Sequence, residues 1–121
     1  MSILIVDDSQ IMRKIMAQAI KKVGNFDVVE AADGQEGVET LLKDSTIELV
    51  LMDWNMPVMT GIEALKKIRM NQKSIPVIMV TTEAEKERVL EAIKSGANDY
   101  LAKPFGPDDI KAKLKKFLLK V

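Results

Sequence analysis

Short, unbroken apolar runs alternate along this chain with stretches whose apolar residues recur every three or four positions. The runs are Ile3 to Val6, Leu49 to Met52 and Val77 to Val80. They are rich in β-branched residues and lack polar alternation, the pattern of strands buried on both faces of a parallel sheet. Asp27 to Ala31 and Asp99 to Ala102 are weaker candidates. The first of these mixes apolar with charged residues and suits an edge strand.

Helical patterns fill the intervals. Ile11, Ile15, Ala19 and Val23 recur at helical spacing, behind Ser9 as N-cap and ahead of Gly24, which stops the helix. Val38, Leu41 and Leu42 predict a second helix after an Asp33-Gly34 turn, and Ile62, Leu65 and Ile68 a third. Val89, Leu90 and Ile93 predict a fourth, closed by Gly96. Ile110, Leu114, Phe117 and Leu118 predict a fifth that opens on Pro107. Five strand–helix units with no linker between them predict one α/β domain over residues 1–121. Its expected form is an open, doubly wound, five-stranded parallel sheet with five helices. A closed eight-stranded barrel needs about twice the chain.

Composition narrows the chemistry. Apolar residues make up 47% of the chain and charged residues 30%, proportions of a folded domain and not of a disordered tail. Lysine plus arginine (18) equals aspartate plus glutamate (18), so no net field draws the chain to nucleic acid or to an anionic membrane. Cysteine is absent, which removes disulfides and thiolate chemistry. Histidine is absent too, which excludes a Ser-His-Asp triad, a His-Glu zinc site and a phosphohistidine on this chain. The opening apolar run stops at Asp7 and Asp8, far short of a membrane span or signal-peptide core, so a cytoplasmic protein is expected. Of the eight methionines, Met12, Met16 and Met79 fall on expected core faces. Met56 and Met59 follow Asp53 and are expected to shape the mouth of a site there.

In open α/β sheets ligands bind beyond the carboxyl ends of the strands. Past the first run come Asp7 and Asp8; past the third, Asp53 and then Asn55. Past the fourth come Thr81 and Thr82, and past the fifth Lys103 and Pro104. Each has an ordinary explanation alone: a turn, a helix cap, a solvated loop lysine. Together they bring carboxylates, a hydroxyl and an ammonium to one edge. Carboxylates crowded in this way repel, and a divalent cation relieves the repulsion. Mg²⁺ suits such a site, because it takes a few oxygen ligands and keeps several waters. Asp8 and Asp53 are the expected direct ligands, Asn55 a carbonyl donor, and Asp7 a ligand directly or through water. An aspartate beside such a cation can act as a nucleophile towards phosphorus. Lys103 would supply a point charge and Thr81 a hydroxyl for the transferring group.

The pair Asp7-Asp8, the segment Asp53-Trp54-Asn55-Met56-Pro57, Thr81 and Lys103-Pro104-Phe105 stand in an order and spacing that resemble the receiver domains of two-component response regulators. The resemblance covers essentially the whole chain and implies the flavodoxin-like strand order 2-1-3-4-5. It implies Asp53 as phosphoacceptor, Asp7 and Asp8 at the metal, and Lys103 at the phosphate. It also implies Thr81 as the switch hydroxyl, Tyr100 as the switch aromatic, and a cis bond before Pro104. By the same resemblance, Asn55 and Glu83 stand at the two positions that tune dephosphorylation in that family. Within the family the likeness is strongest to free-standing chemotaxis receivers, which carry no output domain.

That likeness implies a signalling phosphoacceptor rather than an enzyme, phosphorylated by a histidine kinase and served in some systems by a phosphatase. A monomer is expected. Phosphorylation would draw Thr81 inward, let Tyr100 follow, and change the face of the fourth helix, fifth strand and fifth helix. That face includes Ala84, Lys86, Val89, Tyr100, Ala102, Phe105 and Lys113. Its apolar and basic mixture suits an amphipathic, acid-flanked segment such as one from the flagellar motor switch. Lys111, Lys113, Lys115, Lys116 and Lys120 can equally be the solvated side of the last helix. A phosphorelay intermediate or a kinase-associated regulator would share these features. A magnesium phosphohydrolase would want a second acid where Asn55 stands, and a flavodoxin a glycine-rich loop where Asp7-Asp8-Ser9-Gln10 stands. A DNA-binding regulator would want a helix-turn-helix and positive charge.

Overall fold

The computed structural model describes residues 2–54, 56–71, 74–82, 86–103 and 105–118, the side chains of Thr82, Lys86 and Arg88 excepted. Strands and helices alternate strictly: β1 (Ser2–Val6), α1 (Gln10–Val23), β2 (Asp27–Ala31), α2 (Gly34–Lys43), β3 (Ile47–Asp53), α3 (Gly61–Met70), β4 (Val77–Thr82), α4 (Lys86–Lys94), β5 (Asp99–Lys103) and α5 (Pro107–Phe117). The five strands form one parallel sheet in the order β2-β1-β3-β4-β5. The mixed strand β2 lies at an edge, as its charged residues require, and the unbroken apolar runs lie inside.

Side chains alternate across the sheet with the two-residue period of a strand and divide the core in two. Leu4 and Val6 of β1 enter one layer with Val50, Met52 and Met79, covered by Val38, Leu41, Leu65 and Ile68 of α2 and α3. Ile3 and Ile5 enter the other with Leu49, Leu51, Ile78 and Val80, covered by Met16 and Ile20 of α1 and Ile110 and Leu114 of α5. α4 joins the first layer through Ala92.

Caps fall where expected. The Ser9 hydroxyl accepts from Met12 N–H at 3.2 Å, Gly24 ends α1, and Pro107 opens α5. Asp33 caps α2, and Thr60 and Glu63 form a reciprocal capping box at α3. Gly96 has φ +109, a backbone state that side-chain-bearing residues rarely adopt.

Spacing located two helices without settling which of their apolar residues are buried, and one expectation about a loop needs correction. Ile11 and Ile15 are exposed, and α1 instead buries Met16, Ala19 and Ile20. A series taken every four residues drifts by about 40° per step around a helix, so its first members leave the core face. On α4, Leu90 and Ile93 are 61% and 46% exposed, while the small residue Ala92 faces the sheet. Met56 and Met59 are buried in the core layer beneath α2 and α3, where they fill volume instead of framing an opening.

Arg69, at the end of α3, staples the amino-terminal edge of the sheet. Its guanidinium donates to the carbonyls of Ile75 (2.9 Å) and Gly96 (2.8 and 3.0 Å) and to Asn98 Oδ1 (2.9 Å). At the opposite edge Gly61 begins α3 directly against the end of β3. Its N–H donates to the Trp54 carbonyl at 2.9 Å, and any Cβ at this position would fall on the carbonyl oxygen of Asp53. Gly61→Ala is therefore expected to destabilise the domain by about 1–3 kcal/mol through forced repacking, read as a lowered urea midpoint with an unchanged slope.

Candidate functional site

The carboxyl ends of β1, β3, β4 and β5 meet at one edge. β1 ends at Val6, so Asp7 and Asp8 are the first residues past it, and Asp53 is the last residue of β3. Register sets the other two positions: Asp53 stands opposite Val80, Thr81 opposite Ala102, and Thr82 opposite Lys103. Thr81 thus lies between the row that carries Asp53 and the row that carries Lys103.

Asp7 and Asp53 are 1% and 6% exposed, whereas Asp8 is open to solvent. One carboxylate oxygen from each of the three lies within 4.8 Å of the others. The Lys103 ammonium donates to Asp53 Oδ1 at 3.2 Å and stands 3.7 Å from Asp7 Oδ2. Thr81 is buried beside them.

Asp7 is fixed on three sides. Its N–H donates to the Ala31 carbonyl, its Oδ1 accepts from Ser9 N–H at 2.9 Å, and its carbonyl accepts from Arg13 Nη1 at 2.7 Å. Among the described residues the remaining oxygen, Oδ2, is buried with no hydrogen-bond donor and has the ion-pair contact to Lys103. Buried carboxylate oxygens normally have partners, so this atom marks a place where another positive group fits. A hard cation with oxygen ligands matches the donor set of Asp7, Asp8 and Asp53.

Burial pushes the Asp53 carboxyl above the usual aspartate range, and the neighbouring Asp7 charge pushes it further. Lys103 and the Trp54 N–H pull it back without cancelling the rise. The site thus stores unfavourable charge.

Asn55, Glu83, Ala84 and Pro104, with the Lys86 side chain, lie outside the described residues. Tyr100 is 40% exposed on β5. It lines a groove of about 420 Å³ with Leu101, Ala102, Asp109, Ala112 and Lys113. Three residues of the expected partner face thereby share one surface, and Val89 is half-buried on α4. Phe105 lies apart from that groove. It packs against the core layer under α1 and α5 and lines a smaller hollow with Ile15, Ala19 and Pro107.

Two contributors had no signal in the sequence. Arg13 reaches back from α1 to the Asp7 carbonyl while its Nε donates to Glu30 of β2 at 2.9 Å. Asp99 sits buried at the start of β5 and takes two lysines of α5.

Comparison with known proteins agrees with this geometry. Residues 3–115 match the family described as response regulator receiver domain. The chain belongs to the response-regulator receiver family.

Among its relatives is the chemotaxis protein CheY homolog of Campylobacter jejuni, 43% identical over 98% of this chain and 92% of that protein. Chemotaxis protein CheY1 of Helicobacter pylori is 42% identical over 98% of this chain and 97% of its own. In three dimensions this receiver superposes on chemotaxis protein CheY4 of Vibrio cholerae with a TM-score of 0.88 and 35% identity, covering 97% and 98% of the two chains. Receivers of this kind are signalling modules rather than classical enzymes, and the acidic pocket stands at the sheet edge in this one too. No helix among the described residues is long and apolar enough to cross a membrane.

The raised Asp53 carboxyl has a stability consequence. Between the ordinary aspartate value and its raised value, the folded state holds more proton than the unfolded state, so stability falls as pH rises through that window. Asp53→Asn is expected to be more stable than the parent at neutral pH without added metal. The advantage should shrink as pH falls through the window, as measured by urea unfolding at a series of pH values.

Proposed function

We propose that Asp53 is the phosphoacceptor of this receiver and that phosphorylation needs Mg²⁺ held by Asp7, Asp8 and Asp53, with Asn55 as a further oxygen donor. The observation that supports it best is the buried Asp7 Oδ2, which has no hydrogen-bond donor among the described residues, beside a buried Asp53 whose charge burial and Asp7 disfavour. When bound, Mg²⁺ supplies positive charge that lets these carboxylates stay ionised together and neutralises charge on a phosphoryl oxygen.

The chain's own residues do the rest. An oxygen of Asp53 forms the new bond to phosphorus as the phosphorus–nitrogen bond to a kinase phosphohistidine breaks, and the imidazole takes the electron pair. Lys103, already on Asp53 at 3.2 Å, moves its hydrogen bond to a phosphoryl oxygen and holds it by charge. Thr81 donates its hydroxyl to another oxygen, and Tyr100 turns inward from its exposed position. Glu83 and Asn55 tune the hydrolysis that resets the switch.

The protein in this reading is a cytoplasmic, single-domain regulator that acts as a monomer. A histidine kinase donates the phosphoryl group and a phosphatase assists its loss. The names of the relatives place them in chemotaxis, and the flagellar motor switch is the target proposed here. The face with Tyr100, Ala102 and Lys113 would bind it, extended by Ala84, Lys86 and Val89, with Phe105 supporting the core beside it.

Trp54, the chain's single tryptophan, is buried next to Asp53. Its fluorescence should change saturably with Mg²⁺ and again with beryllium fluoride, a phosphoryl mimic, only when Mg²⁺ is present. Asp53→Asn should abolish the second change. Lys103→Met should weaken mimic binding about tenfold or more, the size of a lost charge-assisted hydrogen bond. A folded parent protein that shows neither change would overturn the assignment.

A further inference from the structure

The fifth helix meets the switch face through one buried carboxylate. Asp99, the first residue of β5, is 8% exposed, and both its oxygens are engaged. Oδ1 accepts from the N–H of Tyr100 at 2.8 Å, on the edge strand of the sheet. Oδ2 accepts from Lys113 Nζ and Lys116 Nζ, each at 3.0 Å. Lys113 Nζ also lies 5.4 Å from the centroid of the Tyr100 ring, within the range of a cation–π contact.

These contacts close a ring. Asp99 holds the Lys113 ammonium, the ammonium sits on the exposed Tyr100 ring, and the Tyr100 backbone returns to Asp99. An unpaired lysine on this helix would sweep through solvent, but the carboxylate confines Lys113 to the one place where its charge favours the outward ring. Lys116, the more exposed of the two, gives Asp99 a second positive partner and lies over a different ring, 5.5 Å from the centroid of Phe117. Lys113 and Lys116 are accordingly structural partners of Asp99, and neither is merely part of a solvated helix face.

We propose that Asp99 is a positioning residue of the switch: through Lys113 it holds Tyr100 outward and so sets the resting balance of the partner face. The inference rests on the reading of Tyr100 as the switch aromatic. Inward movement of the ring breaks the contact with Lys113, so the clamp opposes activation and the phosphoryl group must overcome it. Hydrogen bonds from the Tyr100 N–H and from both lysines outweigh the effect of burial and hold the Asp99 carboxyl below the usual aspartate range, which keeps the clamp charged at neutral pH.

Tyr100 is the single tyrosine of the chain, so protein carrying 3-fluorotyrosine gives one fluorine resonance from this ring. The parent protein is compared with Asp99→Asn, Lys113→Met and Lys116→Met, each with and without Mg²⁺ and beryllium fluoride. Without the mimic, Asp99→Asn and Lys113→Met should both move the resonance towards the position it takes in the parent with the mimic. The shift should match an inward-to-outward ratio raised about two- to five-fold, the worth of an exposed cation–π contact. Lys116→Met should move it much less. Circular dichroism and Trp54 fluorescence establish that each variant is folded with its acceptor site intact. If Asp99→Asn alone fails to fold, Lys113→Met decides the question. A Lys113→Met resonance identical to the parent's overturns the clamp. A parent resonance indifferent to the mimic, while Trp54 responds, overturns instead the reading of Tyr100 as the switch.

Discussion

One ammonium at the end of β5 faces two buried carboxylates that β1 and β3 deliver, and much of the molecule serves to hold that arrangement. Isolated buried charge costs several kcal/mol even after relaxation, roughly the whole stability of many small domains. Lys103 alone cannot cancel both Asp53 and Asp7, since it lies 3.2 Å from one and 3.7 Å from the other, and Asp7 Oδ2 keeps no hydrogen-bond donor among the described residues. The site is therefore under-neutralised by construction. Two core layers stabilise the sheet elsewhere, Arg13 and the Gly61 turn hold the backbone beside the acids, and Ser9 N–H holds the Asp7 carboxylate.

The same imbalance makes the site useful. A site already satisfied would gain little from a cation or a phosphoryl group, whereas in the proposed function this one converts their binding into a change of conformation. The strand register places the acceptor row and the tyrosine a short distance apart. Thr81 lies one residue past the partner of Asp53, Ala102 is the partner of Thr81, and Tyr100 is two residues earlier on that strand and so faces the same side. From the tyrosine the path continues through Lys113 to Asp99 and α5.

Much of this was legible along the chain. All five strands and five helices lie where periodicity put them, because buried parallel strands need continuous apolar runs and helix ends need caps. The residues that follow each run had to gather at one edge once the strands were parallel, and Asp7, Asp8, Asp53, Thr81 and Lys103 do so. The strand order itself came from the family resemblance, because local pattern says nothing about which strands are neighbours.

Other features depended on packing. Spacing marked Ile11, Ile15, Leu90 and Ile93 as apolar on a helix, but only the docking of that helix decides which side of it meets the sheet. Met56 and Met59 read as loop residues and are core, because the chain after Asp53 folds back under α2 and α3. Arg13 and Asp99 carried no motif, since their partners lie 6 to 17 residues away and become neighbours only through the fold. The sequence by itself determined the elements, the layers and the chemistry available at the sheet edge, because these follow from local periodicity and the direction of parallel strands. Tertiary structure alone decided which charges are buried, which remain under-neutralised and which lysines are tethered, because burial and charge pairing are properties of distance and not of order along the chain.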